Sequence, residues 1–229
     1  MKALKLALCA AAASFAMAGA ASAQEAEYSF NVAVTSDYVF RGFSQTDENP
    51  ALQGGVDVVS GMWYAGGWAS NVDFGDSTSA EVDIYAGITP TVGAVSLNLG
   101  AIYYGYVNAP STTDYNFWEF KAAASIPAGP VTLSAAAFYS PEFFGGLGDS
   151  LYYEASASIS PVDKWTISAT AGKQTFDDIS GADYGTWNLG VGYAITEAVS
   201  VDVRYSDTDL NCTALCDERV AVTLKAVLP

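Results

Sequence analysis

From Tyr28 onward, apolar and polar residues alternate in a series of short runs. A period of two marks a strand with one apolar face, and no run keeps the helical period of about 3.6. Twelve runs predict strands at roughly 28–41, 51–59, 62–72, 81–89, 94–106, 117–126, 130–139, 151–160, 164–174, 184–195, 198–205 and 219–228. In the clearest of them Trp165, Ile167, Ala169 and Ala171 oppose Thr166, Ser168, Thr170 and Gly172. Val199, Val201, Val203 and Tyr205 likewise oppose Ser200, Asp202, Arg204 and Ser206. The run around Trp63 to Val72 alternates least.

The connections alternate too. Five are short, at Ser60-Gly61, Pro90 to Gly93, Pro127 to Gly129, Pro161 to Asp163 and Thr196-Glu197. Six are long and polar, at 42–50, 73–80, 107–116, 140–150, 175–183 and 206–218. This asymmetry is the pattern of a membrane barrel with both chain ends on one side. The predicted fold class is therefore all-β: a transmembrane antiparallel up-and-down β-barrel of about 12 strands.

Alternation alone does not say which face is inside. A barrel of about twelve strands is too wide for its wall side chains to fill as a dry core. The less apolar face is also rich in Gly, Ser, Thr and Ala, which suits a crowded lumen. The apolar face is thus expected to meet lipid, with Tyr28, Tyr38, Tyr106, Tyr153, Trp165, Tyr193 and Tyr205 as interfacial girdles. The alternative for any one of these is that aromatic residues simply favour strands.

The first residues read as an export signal. Lys2 and Lys5 precede an Ala-rich apolar run, and Ala21-Ser22-Ala23 is a small-x-small cleavage site. The expected organisation is a signal peptide at 1–23 and an outer-membrane barrel at 24–229. No later stretch reaches the ~18 uninterrupted apolar residues of a spanning helix. The chain carries 25 acids against 9 bases, and no basic patch suggests a nucleic-acid partner. It has no histidine, which removes the commonest general base and metal ligand together. Cys9 lies in the leader. Cys212 and Cys216 remain, and in an exported chain they suggest a disulfide worth about 2 kcal/mol over so short a loop. The alternative, a metal pair, lacks further ligands.

Charge divides into two sets. The six long connections hold fourteen acids, including Asp47, Glu48, Asp73, Asp76, Asp114, Glu142, Asp149 and Asp183, with no Lys or Arg. A rim of one sign concentrates counter-ions, so it reads either as a cation-favouring vestibule or as a surface bridged by divalent cations beneath lipid headgroups. Asp177-Asp178 and Asp207-Thr208-Asp209 offer oxygen ligands for Ca²⁺, without the Gly and terminal Glu of an EF-hand. The second set lies on the polar strand face. Asp37, Asp57, Glu81, Asp83, Glu119, Glu154 and Asp202 are acidic; Arg41, Lys121, Arg204, Arg219 and Lys225 are basic. A mid-depth Arg or Lys facing lipid costs ~2–4 kcal/mol, so these residues are expected to line the lumen. They read either as a selectivity lining or as a paired network that stiffens the barrel.

Longer motifs carry a resemblance. Ser36-Asp37-Tyr38-Val39-Phe40-Arg41-Gly42-Phe43-Ser44-Gln45-Thr46 and Asn49-Pro50-Ala51-Leu52-Gln53-Gly54-Gly55 resemble the TorF family of porin-like proteobacterial proteins. So do Glu81-Val82-Asp83-Ile84-Tyr85-Ala86-Gly87, Tyr139-Ser140-Pro141-Glu142-Phe143-Phe144-Gly145-Gly146, and Cys212 with Leu215-Cys216-Asp217. The resemblance implies an outer-membrane barrel with a pore function, and it brings no substrate and no catalytic residues. The sequence ends Val227-Leu228-Pro229, without the aromatic residue on which such barrels commonly finish.

The expected function is passive diffusion of small hydrophilic solutes or ions through the outer membrane, with a cation preference set by the acidic rim. The partners would be outer-membrane lipids and those solutes, with no cofactor. A closed structural or adhesive barrel with partner-binding loops is the alternative. An enzyme is not expected, because barrel hydrolases use a His-assisted nucleophile or water. Gly145-Gly146 and Gly190-Val191-Gly192 precede no helix and do not make a phosphate loop.

Overall fold

A computed structural model describes residues 25–211 and 214–228. The predicted leader at 1–23 and Cys212 lie outside the described residues. The strands in chain order are β1 (Glu27–Thr35), β2 (Val39–Phe40), β3 (Phe43–Ser44), β4 (Ala51–Ser60), β5 (Trp63–Asn71), β6 (Ala80–Ile88), β7 (Thr91–Val92) and β8 (Val95–Val107). They continue as β9 (Phe117–Ala128), β10 (Val131–Ser140), β11 (Ser150–Ile159), β12 (Trp165–Phe176), β13 (Tyr184–Ala194), β14 (Val199–Thr208) and β15 (Arg219–Leu228). A 3₁₀ turn spans Ala214–Cys216.

Among the described residues, twelve of these strands form the wall of one closed antiparallel barrel: β1, β4 to β6 and β8 to β15. Each pairs with its neighbour in sequence, and β1 pairs with β15 to close the ring, with Phe30 opposite Leu228 and Thr35 opposite Thr223. The small strand β7 only extends β8 at one turn. The five tight turns lie at one end and the six long connections at the other, so the predicted alternation holds.

The period-two pattern sets the faces. Leu52, Trp63 and Ile84 point outward and are each more than 60% exposed, as part of an apolar belt that also includes Val34, Phe120, Leu189 and Leu224. Apolar surface of this extent is stable only against lipid. No helix among the described residues is long and apolar enough to cross a membrane; the strands carry the apolar surface. Outward aromatic residues pair across strands, Trp165 with Tyr193 at 4.8 Å and Trp187 with Tyr205 at 5.0 Å between ring centroids. Two of the expected girdle residues are elsewhere. Tyr38 is buried inside the barrel, and Tyr106 packs in a cluster with Phe74, Tyr115 and Phe144 among the long connections.

The first strand is shorter than its pattern predicts. It ends at Thr35 rather than residue 41, and the chain then turns into the barrel. Residues 36–50 form a small hairpin built on β2 and β3, with Phe40 opposite Phe43. The alternation continues through Tyr38-Val39-Phe40-Arg41 because the hairpin is itself extended chain. The expected loop at 42–50 is therefore the return limb of an inward insert, and that long connection contains a base, Arg41.

Candidate functional site

The hairpin turns on two residues, Arg41 and Gly42, with φ of 46° and 89°. Positive φ at both central positions is the primed turn that suits a tight hairpin. Glycine takes this conformation freely; for arginine it costs about 1–2 kcal/mol. Gly42 is also needed for space, because a Cβ there would strike the Thr208 and Thr186 side chains. The limbs are joined where the Gln45 N–H donates to the Tyr38 carbonyl at 2.7 Å.

Arg41 reaches the far wall. Its two terminal nitrogens donate to the two oxygens of Glu119 at 2.7 and 2.8 Å, and one of them also donates to Gln174 Oε1 at 3.0 Å. The guanidinium lies 4.2 Å from the Tyr152 ring centroid, 4.7 Å from Phe40 and 5.1 Å from Phe138. Tyr104 donates its hydroxyl to Glu119 Oε2 at 3.0 Å. A two-pronged charge-assisted pair removed from water is strong in geometry and expensive to break from one side.

The base of the hairpin is held separately. Asp37 accepts hydrogen bonds from Ser44 Oγ at 2.6 Å, Thr46 Oγ1 at 3.1 Å and Arg219 Nη1 at 3.0 Å. Arg219 also donates to the carbonyls of Ala214 and Asp217, which ties the last long connection to the same point. Tyr38 donates to Glu81 Oε1 at 2.9 Å and packs edge-on to Trp68.

The hairpin joins β1 to β4 and meets the other ten wall strands. The contacts run through Trp68, Glu81, Tyr104, Glu119, Phe138, Tyr152, Gln174, Tyr184, Thr208 and Arg219. Glu119, Gln174 and Ser140 are 0% exposed. The expectation that the interior is too wide to be filled needs correction at this level. Wall side chains do not fill it alone; an inserted hairpin does.

The predicted charged residues fall into two groups. Asp37, Arg41, Glu81, Asp83, Glu119 and Arg219 gather around the hairpin, although Asp37 and Arg41 stand on the insert rather than on a wall strand. Asp57, Lys121, Glu154, Asp202, Arg204 and Lys225 lie on inward positions further toward the short turns. There Arg204 Nε donates to Asp202 at 3.1 Å, Tyr85 donates to Asp57 at 2.5 Å, and Tyr152 donates to Glu154 at 3.0 Å. A Cβ at Gly190 would collide with the Arg204 guanidinium, so that glycine makes the room. Lys121 and Lys225 form no ion pair among the described residues. No group of three or more His, Cys, Asp or Glu among the described residues is placed to hold a metal. Asp207 and Asp209, offered as calcium ligands, accept from the Thr208 and Gly185 amides at 2.8 and 2.7 Å. Cys216 is fully buried, and the partner expected for it, Cys212, lies outside the described residues.

Sequence reasoning did not single out Gln174, Tyr104, Tyr152 or Phe138. Nothing local marks their part in this site, since each meets the hairpin through Phe40 or Arg41, more than 60 residues away. The hairpin itself carries a signal: a two-residue Arg-Gly step between Phe40 and Phe43, followed by two hydroxyl residues within reach of Asp37.

No curated protein matches the chain in sequence. Among solved structures it resembles the KdgM porin, with a TM-score of 0.62 and 7% identity over 86% of this chain and 98% of that one. It resembles KdgM porin in complex with disordered oligogalacturonate with a TM-score of 0.60 and 7% identity, over 87% and 97% of the two chains. A loop-deleted OmpT, an outer membrane protein of Vibrio cholerae, aligns with a TM-score of 0.47 and 12% identity over 90% and 100%. The KdgM likeness establishes that this is a porin fold. A family model described as a bacterial protein of unknown function, Gcw_chp, matches residues 17–227. That description does not mention TorF. The chain belongs to the Gcw_chp family of bacterial proteins of unknown function.

Proposed function

We propose that this protein is an outer-membrane, porin-like channel for small hydrophilic solutes or ions, with the hairpin as its constriction and a preference for cations. The observation that carries the reading is a polar, charged inward face enclosed by an apolar belt of lipid-facing residues. The motifs shared with the TorF family agree with it. The long connections would lie outside the cell and the short turns in the periplasm. The cation preference rests on the acids of the long connections, which set a negative potential at the mouth. That charge disfavours an acidic chain such as the oligogalacturonate seen with KdgM. No catalytic role is assigned to any residue.

The test is single-channel recording in a planar bilayer with a KCl gradient. Reversal potentials should show cation preference at low salt, weakening as the Debye length falls below ~10 Å above 0.1 M. Anion preference at low ionic strength would overturn the assignment of the rim. A second reading is a closed structural barrel whose outer loops bind a partner, and the complete burial of Glu119 and Gln174 beneath the hairpin favours it. Absence of conductance in both the native protein and a hairpin-deleted variant would select that reading. Export to an oxidising compartment further suggests that Cys212 and Cys216 are paired. Thiol labelling of unreduced mature protein should then find no free cysteine.

A further inference from the structure

We propose that the pocket holding Arg41 is a receptor site for solutes bearing a guanidinium or alkylammonium group, occupied at rest by the chain's own arginine. The inference rests on the channel reading and adds the class of solute to it.

The pocket already displays the chemistry it binds. Both oxygens of Glu119 receive the guanidinium at 2.7 and 2.8 Å, Gln174 Oε1 at 3.0 Å, and the rings of Tyr152 and Phe138 stand 4.2 and 5.1 Å from its carbon. A carboxylate that offers both oxygens to the fork, with aromatic rings alongside, is how a planar organic cation is recognised. These four residues stand on β9, β12, β11 and β10, not on the hairpin. The receptor therefore persists when the hairpin leaves. The occupant is the tip of a two-residue turn held at a φ of 46°, a conformation arginine adopts only under constraint.

Two wall groups suit a free ligand better than the tethered one. Gln174 Nε2 and Asp83 Oδ1 are buried without a hydrogen-bond partner among the described residues. Arg41 uses only the carbonyl side of the Gln174 amide and forms no bond with Asp83. A solute with a hydroxyl or a second ammonium beside its cationic head could engage them. The acids of the mouth would raise the local concentration of such cations before they reach the hairpin. A solute that takes Glu119 from Arg41 removes the hairpin's hold on the far wall, so binding and opening are one event. A ligand shifts such an equilibrium only by its preference for one state, and here it competes directly for the closing contact.

Agmatine is a suitable probe, with arabinose as the neutral control. In planar bilayers, millimolar agmatine should raise the mean current of the native protein several-fold, while arabinose leaves it unchanged. R41A should conduct without agmatine, and agmatine should now block it only in part, down to the level it sets in the native protein, by entering the vacated pocket. R41K, which keeps a charge but loses the planar fork, should need less agmatine to open. E119Q should abolish the block in the R41A background without abolishing the current. If R41A conducts and agmatine neither blocks it nor releases heat on titration, the receptor site is wrong and the channel reading stands. If R41A folds, as judged by heat-modifiable migration, but neither it nor the hairpin-deleted variant conducts, the channel reading fails. Calorimetric titration of agmatine into R41A in detergent then decides the site: saturable heat lost in the E119Q double variant supports it, and no heat overturns it.

Discussion

The two halves of the lumen are built from the same strands and could hardly differ more in how they are filled. Toward the long connections, Tyr38, Tyr104, Phe117, Phe138, Tyr152 and Tyr184 are buried around the hairpin, and the Arg41–Glu119 side chains are 6% and 0% exposed. Toward the short turns, the inward residues of β10 to β12 include Ser134, Ala136, Ser156, Ser158, Ser168 and Thr170, all of them only half-buried. The Arg204–Asp202 side chains there remain 16% and 18% exposed. Strand number fixes the width of both halves equally. What separates a plugged barrel from an open cup is therefore side-chain size along single strands together with one inserted turn.

The contrast can be broken most sharply at Glu119. Glu119→Ala leaves the Arg41 charge buried without its partner, a change that costs roughly 3–5 kcal/mol in comparable settings. The loss should fall on the hairpin rather than the wall. Hydrogen exchange at the Gln45 amide should accelerate by about a hundredfold or more, since each ~1.4 kcal/mol is tenfold. Amides of β13 and β14 should be unaffected. Uniform acceleration would mean that the hairpin is part of one cooperative core.

A smaller effect is expected at the other anchor. Arg219→Ala removes one charged donor from Asp37, which keeps its bonds from Ser44 and Thr46. The loss should be about 2 kcal/mol, typical of a hydrogen bond between charged groups. Proteolysis between residues 209 and 218 should quicken together with exchange in the hairpin, because Arg219 holds both segments. If only one responds, the two are not coupled through it.

In the open half, the Asp202–Arg204 pair should contribute roughly 1 kcal/mol or less by double-mutant cycle, because water screens it. A coupling as large as that at Glu119 would erase the distinction between the halves. The smallest effect belongs to the rim. The Thr78 backbone N–H, at 2.7 Å, and the Tyr115 hydroxyl, at 2.9 Å, hold the exposed Asp76 carboxyl below the usual carboxylate range. A depressed carboxyl stabilises its turn above the ordinary carboxylate pKa and loses that contribution as pH falls through its own lower value. NMR titration should show residues 73–78 unchanged at neutral pH and loosening only in acid. Asp76→Asn should remove the acid dependence.

Much of the wall was legible because lipid and lumen impose opposite demands on successive residues. Trp165 to Gly172 and Val199 to Ser206 declare their faces without reference to any neighbour. The count of wall strands followed from connection lengths, which need no register. The hairpin was not legible for the same reason that the wall was: Tyr38-Val39-Phe40-Arg41 continues the alternation, and local pattern does not distinguish a strand that goes on from one that turns inward. Charged inward positions such as Glu81 and Asp202 could be placed on a face. Their partners could not, since Glu81 is bonded to a tyrosine 43 residues away and Asp202 to its neighbour two residues on. Pairing depends on register and depth, and neither is written in composition.

The seam between β1 and β15 carries a consequence for assembly. Asp37 and Arg219, which fix the root of the hairpin, are separated by 182 residues, and Arg41 and Gln174 by 133. Contacts of such sequence separation form late, after the chain between them has been ordered. Arg219 begins the final strand, so the root lacks its charged anchor until that strand arrives and the ring closes on β1. An unfinished barrel would present a loose hairpin and an open edge at once. Sealing the cylinder and stoppering it would then be consecutive steps of one maturation sequence, with the last strand as timekeeper for both.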